Sequence, residues 1–312
     1  MRYATVKTSH GLRPAVLIDD EILDIAAAQT LLAPDVAAPQ SLLEIFQLGS
    51  EGHTLVSNLL RSVGPKAAQL RSAGVLKPYA GAKLAAPLPN PGMVLSIGAN
   101  YHEHLKEMNT PAPETPMCFY KSVASIIGSG DKIIPPKSNP DMLDWEGEFS
   151  VVIGTTCHDV SEDEALKYVG GYTIVNDVSA RDWVAPALKA QGMINTIVAW
   201  EHNILGKLFP TFCPMGPVIV TADEIPDPHN LNLVTRLNGQ VVQSTNTSDL
   251  VFNVAQIISY YSRFLILRPG DVITTGSPSG VGYGRNPQLF MKSGDVIEVE
   301  VQNVGVLRNT IA

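Results

Sequence analysis

Cysteine is scarce in this sequence, and the few cysteines show no pairing pattern. Three cysteines occur in 312 residues, and Cys118, Cys157 and Cys213 are far apart and form no CxxC motif. A disulfide framework or a cysteine-based metal site needs an even number of cysteines or close spacing. We therefore expect reduced thiols packed in a core.

Long apolar runs and basic clusters are missing too. No apolar stretch approaches the length that spans a membrane, and the first residues, MRYATVKTSHG, contain no apolar segment typical of a secretory signal. The formal net charge is -8, which disfavours nucleic acid and anionic membrane surfaces as partners. We expect a cytoplasmic protein with neither nucleic-acid nor membrane partners.

Nucleotide-binding motifs are also absent. There is no GxGxxG, no P-loop and no regular alternation of strands and helices, which disfavours a doubly wound fold. Strand-like runs dominate instead, and Asn238-Gly239 lies between two of them, as expected for a hairpin turn. A helical spacing covers residues 250–261 before RPGD ends it. The patterns predict an α+β protein that is predominantly β.

The apolar patterns divide the chain into two parts. Residues 1–73 combine strand-like runs with two helical ones. Residues 74–93 are rich in proline, glycine and alanine and show no period, which is typical of a linker. We expect a small N-terminal α+β domain over 1–73, a linker over 74–93 and a larger domain over 94–312.

Two glutamates precede a run that reads as a strand buried on both faces. Glu146 and Glu148 are two residues apart, so in a strand they point to the same side. Glu298 and Glu300 have the same spacing, but apolar residues alternate opposite them, which indicates a half-exposed strand with a solvated charged face. After Glu148 the apolar residues run without alternation, and hard divalent cations favour carboxylates in such surroundings. Spacing and context leave a metal site and a solvated face open.

Asp177 interrupts a second apolar run, within GYTIVNDVSARD. A buried aspartate usually caps a turn or pairs with an arginine, and Arg181 is near enough in the sequence for such a pair. Asp177 is equally suited to be a third oxygen ligand, because three carboxylates are typical of Mg²⁺ or Mn²⁺ sites. The residues alone leave these interpretations open.

Three further segments carry candidate functional groups. His104 and Glu107 are neighbours on one helical face, and they form either a general base with an orienting carboxylate or a surface contact. Lys207 lies in an apolar, proline-rich stretch, where it either reaches water or stabilises negative charge on an oxygen. Residues 274–284, TTGSPSGVGYG, form a loop whose backbone N–H groups suit an anion.

The order of these segments resembles the fumarylacetoacetate hydrolase family. The matching stretches are GANYHEHLKEM, DWEGEFSVVIG, GYTIVNDVSARD, GKLFPTFCPMGP and TTGSPSGVG, between residues 93 and 285. The resemblance implies a mixed β-roll catalytic domain, usually dimeric, so a homodimer is expected. It also implies one divalent cation per subunit, either Mg²⁺ or Mn²⁺, with Ca²⁺ as a further candidate.

The resemblance implies roles for the metal and base candidates. Glu146, Glu148 and Asp177 match the metal ligands of the family. His104 and Glu107 match the pair that positions and activates water.

The resemblance also implies roles around the substrate. Lys207 matches a lysine that stabilises an oxyanion, and Arg181 matches an arginine that lines the site. Thr275, Gly276 and Ser277 match a loop that holds the carboxylate end of the substrate, with serine at 277 where threonine is common.

Two features depart from the family pattern. Val184 stands where many members have glutamine. The segment 184–204 is longer than in compact members and carries Met193, Ile197 and Trp200. This segment is either a lid over a larger or less polar substrate tail or a packed loop.

The implied reaction is hydrolysis of a carbon–carbon bond in an acylpyruvate or a related 1,3-diketo acid. A water activated by His104 attacks the distal carbonyl, and an enolate stabilised by the metal leaves. The expected small-molecule substrate is therefore a 2-oxo acid. Decarboxylases and isomerases of 2-oxo acids in aromatic-compound catabolism use the same enolate chemistry and are the first alternative. A metal-binding homologue without turnover is the second.

Overall fold

The computed structural model describes residues 1–312, which form nineteen strands and eight helices. The strands are β1 (Arg2–Thr8), β2 (Gly11–Ile18), β3 (Glu21–Asp24), β4 (Leu76–Pro78), β5 (Leu84–Ala85), β6 (Val94–Gly98), β7 (Met117–Tyr120), β8 (Ile126–Ile127), β9 (Lys132–Ile133), β10 (Leu143–Asp144), β11 (Gly147–Ile153), β12 (Val169–Asn176), β13 (Ser179–Ala180), β14 (Cys213–Thr221), β15 (Asn232–Leu237), β16 (Gln240–Asn246), β17 (Val272–Thr274), β18 (Val296–Val301) and β19 (Gly305–Ile311). The helices are α1 (Ile25–Leu32), α2 (Leu42–Gln47), α3 (Ser50–Ser72), α4 (His102–Glu107), α5 (Glu162–Ala165), α6 (Val184–Lys189), α7 (Met193–Leu205) and α8 (Val254–Ser262).

Most of the strands belong to two sheets. The main path of a twelve-stranded sheet runs β4-β3-β2-β1-β14-β12-β11-β17-β6-β7. A five-stranded sheet has the order β16-β15-β18-β19-β9, and β10 and β13 form a separate two-stranded sheet. The predicted α+β class with a predominance of strands is confirmed. No helix is both long enough and apolar enough to cross a membrane.

The N-terminal strands are part of the large sheet. β1 pairs antiparallel with β14, which in turn pairs with β12. One apolar core on this sheet combines Leu59 and Val63 of α3 with Val175 of β12 and Met215 of β14. The domain limits at 73 and 94 stay a prediction.

The cysteines are all free, and two of the three are buried. Cys157 and Cys213 are core thiols as predicted. Cys118 is exposed, because its strand β7 lies at the open edge of the large sheet. An edge strand has a partner on one side only, so its side chains are less covered.

Two local patterns can be compared directly with the structure. Asn238 and Gly239 have φ values of 52° and 80° between β15 and β16, as a tight hairpin requires. The helix predicted from residue 250 begins instead at Val254. Its start is set by a capping box, in which Asn253 and Gln256 each accept the other's backbone N–H.

Gly147 allows β11 to approach the second sheet closely. A Cβ atom at this position would lie 2.3 Å from Thr235 Oγ1 and 2.9 Å from Val299 Cγ1. Both distances are shorter than ordinary van der Waals contacts. Glycine at position 147, between the two glutamates, therefore allows β11 to pack on β15 and β18.

Replacing Gly147 by alanine is expected to lower the free energy of unfolding by about 1–3 kcal/mol, because the methyl group must displace Thr235 or Val299. Urea unfolding followed by tryptophan fluorescence measures this loss. Gly98→Ala is the matched control, since a Cβ atom there would meet nothing within 4 Å. Equal losses in the two variants would contradict the packing argument.

Candidate metal centre and active site

Three buried carboxylates meet where β11 and β12 pair. Gly147 of β11 lies opposite Asn176 of β12, and the Asp177 N–H donates to the Glu146 carbonyl at 2.8 Å. This register brings Asp177 beside the two glutamates. One oxygen each from Glu146, Glu148 and Asp177 lies within 4.8 Å of the other two.

Two of the cations that neutralise this cluster, Lys207 and Arg181, contact Glu146. Lys207 Nζ lies 2.5 Å from Glu146 Oε2 and 2.8 Å from Asp177 Oδ2, and Arg181 Nη2 lies 2.6 Å from Glu146 Oε1. Burial alone would raise the pKa of Glu146, but these two cations hold that pKa well below its usual range. Burial alone would lower the pKa of Lys207, but Asp177 and Glu146 raise it above its ordinary value. The Lys207 side chain is therefore a fixed positive charge.

Glu148 forms no salt bridge. Its Oε2 accepts the Gly276 N–H at 3.1 Å. Burial, followed by the charges of Asp177 and Glu146, raises the pKa of Glu148 well above its ordinary value. An uncompensated buried carboxylate favours a cation beside it, and a donor set made only of oxygen suits Mg²⁺ or Mn²⁺. The three carboxylates are therefore able to hold a divalent cation.

Arg181 does not pair with Asp177. Its Nε donates to Asp144 Oδ2 at 2.8 Å, while its Nη2 donates to Glu146. Both donors face carboxylates of the protein, so Arg181 supports a candidate ligand. Its expected contact with the substrate stays a prediction.

Two buried charged residues, Lys121 and Asp144, were not among the predicted site residues. The Lys121 ammonium binds the Asp177 carboxylate and, at 2.6 Å, the carbonyl oxygen of Lys207. Asp144 binds Arg181. Each interrupts or ends an apolar run, in MCFYK and MLDW. That weak signal is shared by many surface residues.

His104 and Glu107 form the predicted pair on α4. His104 Nδ1 lies 2.9 Å from Glu107 Oε2, and the two side chains are 12% and 23% exposed. Burial would raise the pKa of Glu107, but hydrogen bonds from His104 and the Gly280 N–H, together with the charge of His104, lower it below its usual range. With Nδ1 facing a carboxylate, Nε2 is the nitrogen free to exchange a proton.

Residues 274–284, called the glycine loop below, connect the carboxylates with this pair. The Gly276 N–H binds Glu148, and the Gly280 N–H binds Glu107 at 3.1 Å. Gly276 has a φ of +96°, and a Cβ atom there would lie 3.1 Å from Asn100 Cβ. Glycine is therefore required at the residue that contacts Glu148.

Two hydroxyl groups of the glycine loop bind the protein itself. Thr275 Oγ1 donates to the Phe149 carbonyl at 2.8 Å, and Ser277 Oγ accepts from Gln243 Nε2 at 2.9 Å. These bonds hold the loop against β11 and β16. The expected role of Thr275, Gly276 and Ser277 in holding a substrate carboxylate stays a prediction.

The long segment 184–204 is not a packed loop. It forms α6 and most of α7, and neither helix contains a buried residue. Met193, Ile197 and Trp200 are 75%, 57% and 55% exposed. Helix α7 ends two residues before Lys207, so the segment adjoins the charged cluster; its function as a lid stays a prediction.

Comparison with known proteins identifies the family. The family model described as fumarylacetoacetate (FAA) hydrolase C-terminal matches residues 93–312. The chain belongs to the fumarylacetoacetate hydrolase family. One relative, an oxaloacetate tautomerase of Xenopus laevis, is 43% identical over 228 residues, which are 73% of this chain and 68% of the relative.

Solved structures support the same assignment. The 5-carboxymethyl-2-hydroxymuconate delta-isomerase from Mycobacterium smegmatis has a TM-score of 0.70 and 30% identity, over 100% of this chain and 98% of the other. Maleylpyruvate hydrolase from Sphingobium sp. SYK-6, in complex with manganese(II) ion and pyruvate, has a TM-score of 0.73 and 26% identity, over 100% and 99%. The predicted family and its fold are confirmed.

The predicted cytoplasmic location is wrong when judged by the relatives of this chain. The Xenopus laevis relative is named as a mitochondrial protein. Mitochondrial transit segments are amphipathic rather than continuously apolar, so the lack of an apolar signal segment does not distinguish the two compartments.

Proposed function

We propose that this chain is a divalent-metal-dependent enzyme that interconverts the keto and enol forms of a dicarboxylic 2-oxo acid of the oxaloacetate type. The observation that carries the proposal is the fixed ammonium of Lys207 between two of three clustered carboxylates. The names of two relatives, an oxaloacetate tautomerase and an isomerase, support it. Isomerisation thus replaces carbon–carbon hydrolysis as the first candidate.

The charges of the cluster suit an anionic substrate. Glu146, Glu148 and Asp177 would hold Mg²⁺ or Mn²⁺, and the bound cation would supply a Lewis acid that polarises the 2-keto group. With every group ionised, four buried carboxylates face three buried cations; these are Asp144, Glu146, Glu148, Asp177, Lys121, Arg181 and Lys207. One divalent cation turns this excess negative charge into an excess positive charge, which attracts a dianion.

His104 is the residue suited to move the proton. The C3–H bond breaks, its proton passes to His104 Nε2, and its electron pair forms the C2–C3 double bond. The π electrons of the 2-keto group move onto the oxygen, where the Lys207 ammonium stabilises the negative charge. Nε2 then returns the proton to that oxygen, which gives the enol and restores the neutral imidazole. Glu107 accepts a hydrogen bond from the Nδ1–H group and stabilises the charged ring.

Hydrolysis of acylpyruvates is the second candidate. The His104 side chain is 12% exposed, so water reaches it and Nε2 is suited to take a proton from that water. The maleylpyruvate hydrolase among the structural relatives supports this candidate. Water would then add to the distal carbonyl, and the carbon–carbon bond would break with its electron pair on the enolate.

The experiment is a substrate panel with the purified protein and Mg²⁺ or Mn²⁺. We expect faster keto–enol exchange of oxaloacetate, followed by ultraviolet absorbance of the enol, with loss of activity in chelator and recovery on adding Mn²⁺. Mass spectrometry of acylpyruvates and release of CO₂ from oxaloacetate test hydrolysis and decarboxylation. Cleavage of an acylpyruvate without tautomerisation would favour the second candidate. Mn²⁺ binding without any turnover would favour a non-catalytic homologue.

If the segment 184–204 is a lid, changing it should alter KM to an extent that depends on the size of the substrate. Replacing both Ile197 and Trp200 by serine is expected to raise KM about tenfold for acylpyruvates with an apolar tail, which is roughly 1.4 kcal/mol of lost apolar contact. KM for oxaloacetate should not change, because it has no such tail. Phe264→Ser is the control, since Phe264 is an exposed aromatic residue outside this segment. Unchanged KM values for every substrate would contradict the lid.

The expected homodimer remains a proposal as well. The apolar side chains of α7 are also suited to contact a second copy of the chain. Light scattering after size exclusion should give the mass of a dimer for the wild-type protein. A monomer mass only in the doubly substituted variant would assign Ile197 and Trp200 to the subunit interface.

A further inference from the structure

Asp144 is a buried carboxylate to which the proposed reaction gives no role. It lies at the end of β10 and is 0% exposed. Each of its oxygens accepts two N–H groups. Oδ1 accepts those of Trp145 at 2.8 Å and Gly282 at 2.7 Å, and Oδ2 accepts Arg181 Nε at 2.8 Å and the Tyr283 N–H at 3.0 Å. Four donors determine both the position and the rotation of this carboxylate.

One branch from Asp144 leads to a candidate metal ligand. Arg181 Nε is held by Asp144, and Arg181 Nη2 donates to Glu146 Oε1 at 2.6 Å. Because the guanidinium group is rigid and planar, a restraint on Nε also restrains Nη2. Asp144 therefore determines the direction from which Arg181 orients the Glu146 carboxylate.

A second branch leads to the His104–Glu107 pair. Gly282 and Tyr283, which donate to Asp144, belong to the glycine loop. Two residues earlier, the Gly280 N–H donates to Glu107 at 3.1 Å. The loop packs directly on Asp144, since a Cβ atom at Gly282 would lie 2.7 Å from Asp144 Oδ1.

We propose that Asp144 is a positioning residue that fixes Glu146 and the His104–Glu107 pair relative to each other. The inference rests on the proposed function, because it states that one side chain positions both a metal ligand and the general base of that reaction. Residues that support a metal ligand in this way typically change metal affinity or activity by about 10–100-fold when they are replaced.

The test is Asp144→Asn. In one orientation the amide NH₂ group faces Arg181 Nε and the Tyr283 N–H, and in the other it faces the Trp145 and Gly282 N–H groups, so the glycine loop loses a hydrogen bond in both. In both orientations Arg181 also loses its charged partner. We expect the Kd for Mn²⁺, measured by electron paramagnetic resonance titration, to rise about 10–100-fold. Hydrogen exchange measured by mass spectrometry should become faster in residues 280–283. At saturating Mn²⁺, kcat should fall while KM for the substrate stays unchanged.

Two further variants provide a control and test one branch separately. Asp295→Asn is the matched control, since Asp295 also accepts a backbone N–H, from Lys292 at 2.7 Å, in a turn away from the cluster; it should leave Mn²⁺ affinity and loop exchange unchanged. Arg181→Lys should break only the branch to Glu146. We expect weaker Mn²⁺ binding with wild-type exchange in the glycine loop.

Wild-type Mn²⁺ affinity and wild-type loop exchange in folded Asp144→Asn would overturn the proposal. If this variant does not fold, hydrogen exchange in the wild-type protein tests the proposal, because the Gly282 and Tyr283 N–H groups should be protected. Rapid exchange of these two groups would also overturn it. Neither readout needs a substrate. Absence of turnover in the wild-type protein would therefore refute the proposed function and leave the role of Asp144 to be judged by binding and exchange.

Discussion

Replacing Glu148 by glutamine is expected to stabilise the metal-free protein and to weaken metal binding. Glu148 forms no salt bridge, and burial together with Asp177 and Glu146 raises its pKa. Removing its charge should raise the free energy of unfolding of the metal-free protein at pH 7 by roughly 1–3 kcal/mol, the usual penalty of an uncompensated buried polar group. The amide oxygen still accepts the Gly276 N–H.

The pH dependence has a definite sign. In the unfolded chain Glu148 loses its proton near its ordinary value of 4.5, whereas in the folded metal-free protein it keeps the proton to higher pH. Wild-type stability without metal should therefore decrease as pH rises from about 4.5 through the folded pKa. Glu148→Gln should remove this contribution, which urea unfolding in chelator at several pH values measures.

The same substitution, Glu148→Gln, should weaken metal binding. Loss of one of three carboxylates is expected to raise the Kd for Mn²⁺ by at least about 100-fold, because replacing residues that merely support a ligand already costs 10–100-fold. Glu300→Gln is the control, since Glu300 carries the same charge on a strand with a 44% exposed side chain. Wild-type Mn²⁺ affinity in Glu148→Gln would exclude Glu148 as a ligand.

Replacing His104 by alanine is expected to reduce the rate of keto–enol exchange by about 10²–10⁴-fold, the usual contribution of a general base. Mn²⁺ affinity should stay at the wild-type value, because His104 contacts Glu107 rather than the clustered carboxylates. Stopped-flow absorbance with oxaloacetate gives the rate, and the Mn²⁺ titration gives the affinity.

The same helix provides the control for this experiment. His102 is exposed and lies on another face of α4, so His102→Ala should keep the wild-type rate. Glu107→Gln should have a smaller effect than His104→Ala, because it disturbs the orientation of the ring but retains Nε2. Full tautomerase activity, or full acylpyruvate hydrolysis, in metal-loaded His104→Ala would rule out His104 as the base.

Short-range patterns predicted those parts of the structure that short-range forces determine. The Asn238-Gly239 turn formed because both residues adopt positive φ. His104 and Glu107 met because residues three apart share a helical face. The continuous apolar run after Glu148 indicated burial correctly, and β11 is buried along its whole length.

Of the two interpretations that the sequence left open for Asp177, the pair with Arg181 does not form. Arg181 binds Asp144 and Glu146 instead, and Asp177 binds Lys121 and Lys207. Sequence separation does not determine which charged side chains meet, because the charged residues near β11 and β12 contact residues from other segments of the chain.

The types and order of the functional residues, and hence the family, could be read from the amino-acid sequence. The contacts among them required the tertiary structure. Asp177 reaches Glu146 through the antiparallel register of β11 and β12, and Asp144 and Lys121 join the cluster from β10 and from the end of β7. Such contacts depend on the pairing of distant strands, and local propensity does not encode a distance between residues so far apart in the chain.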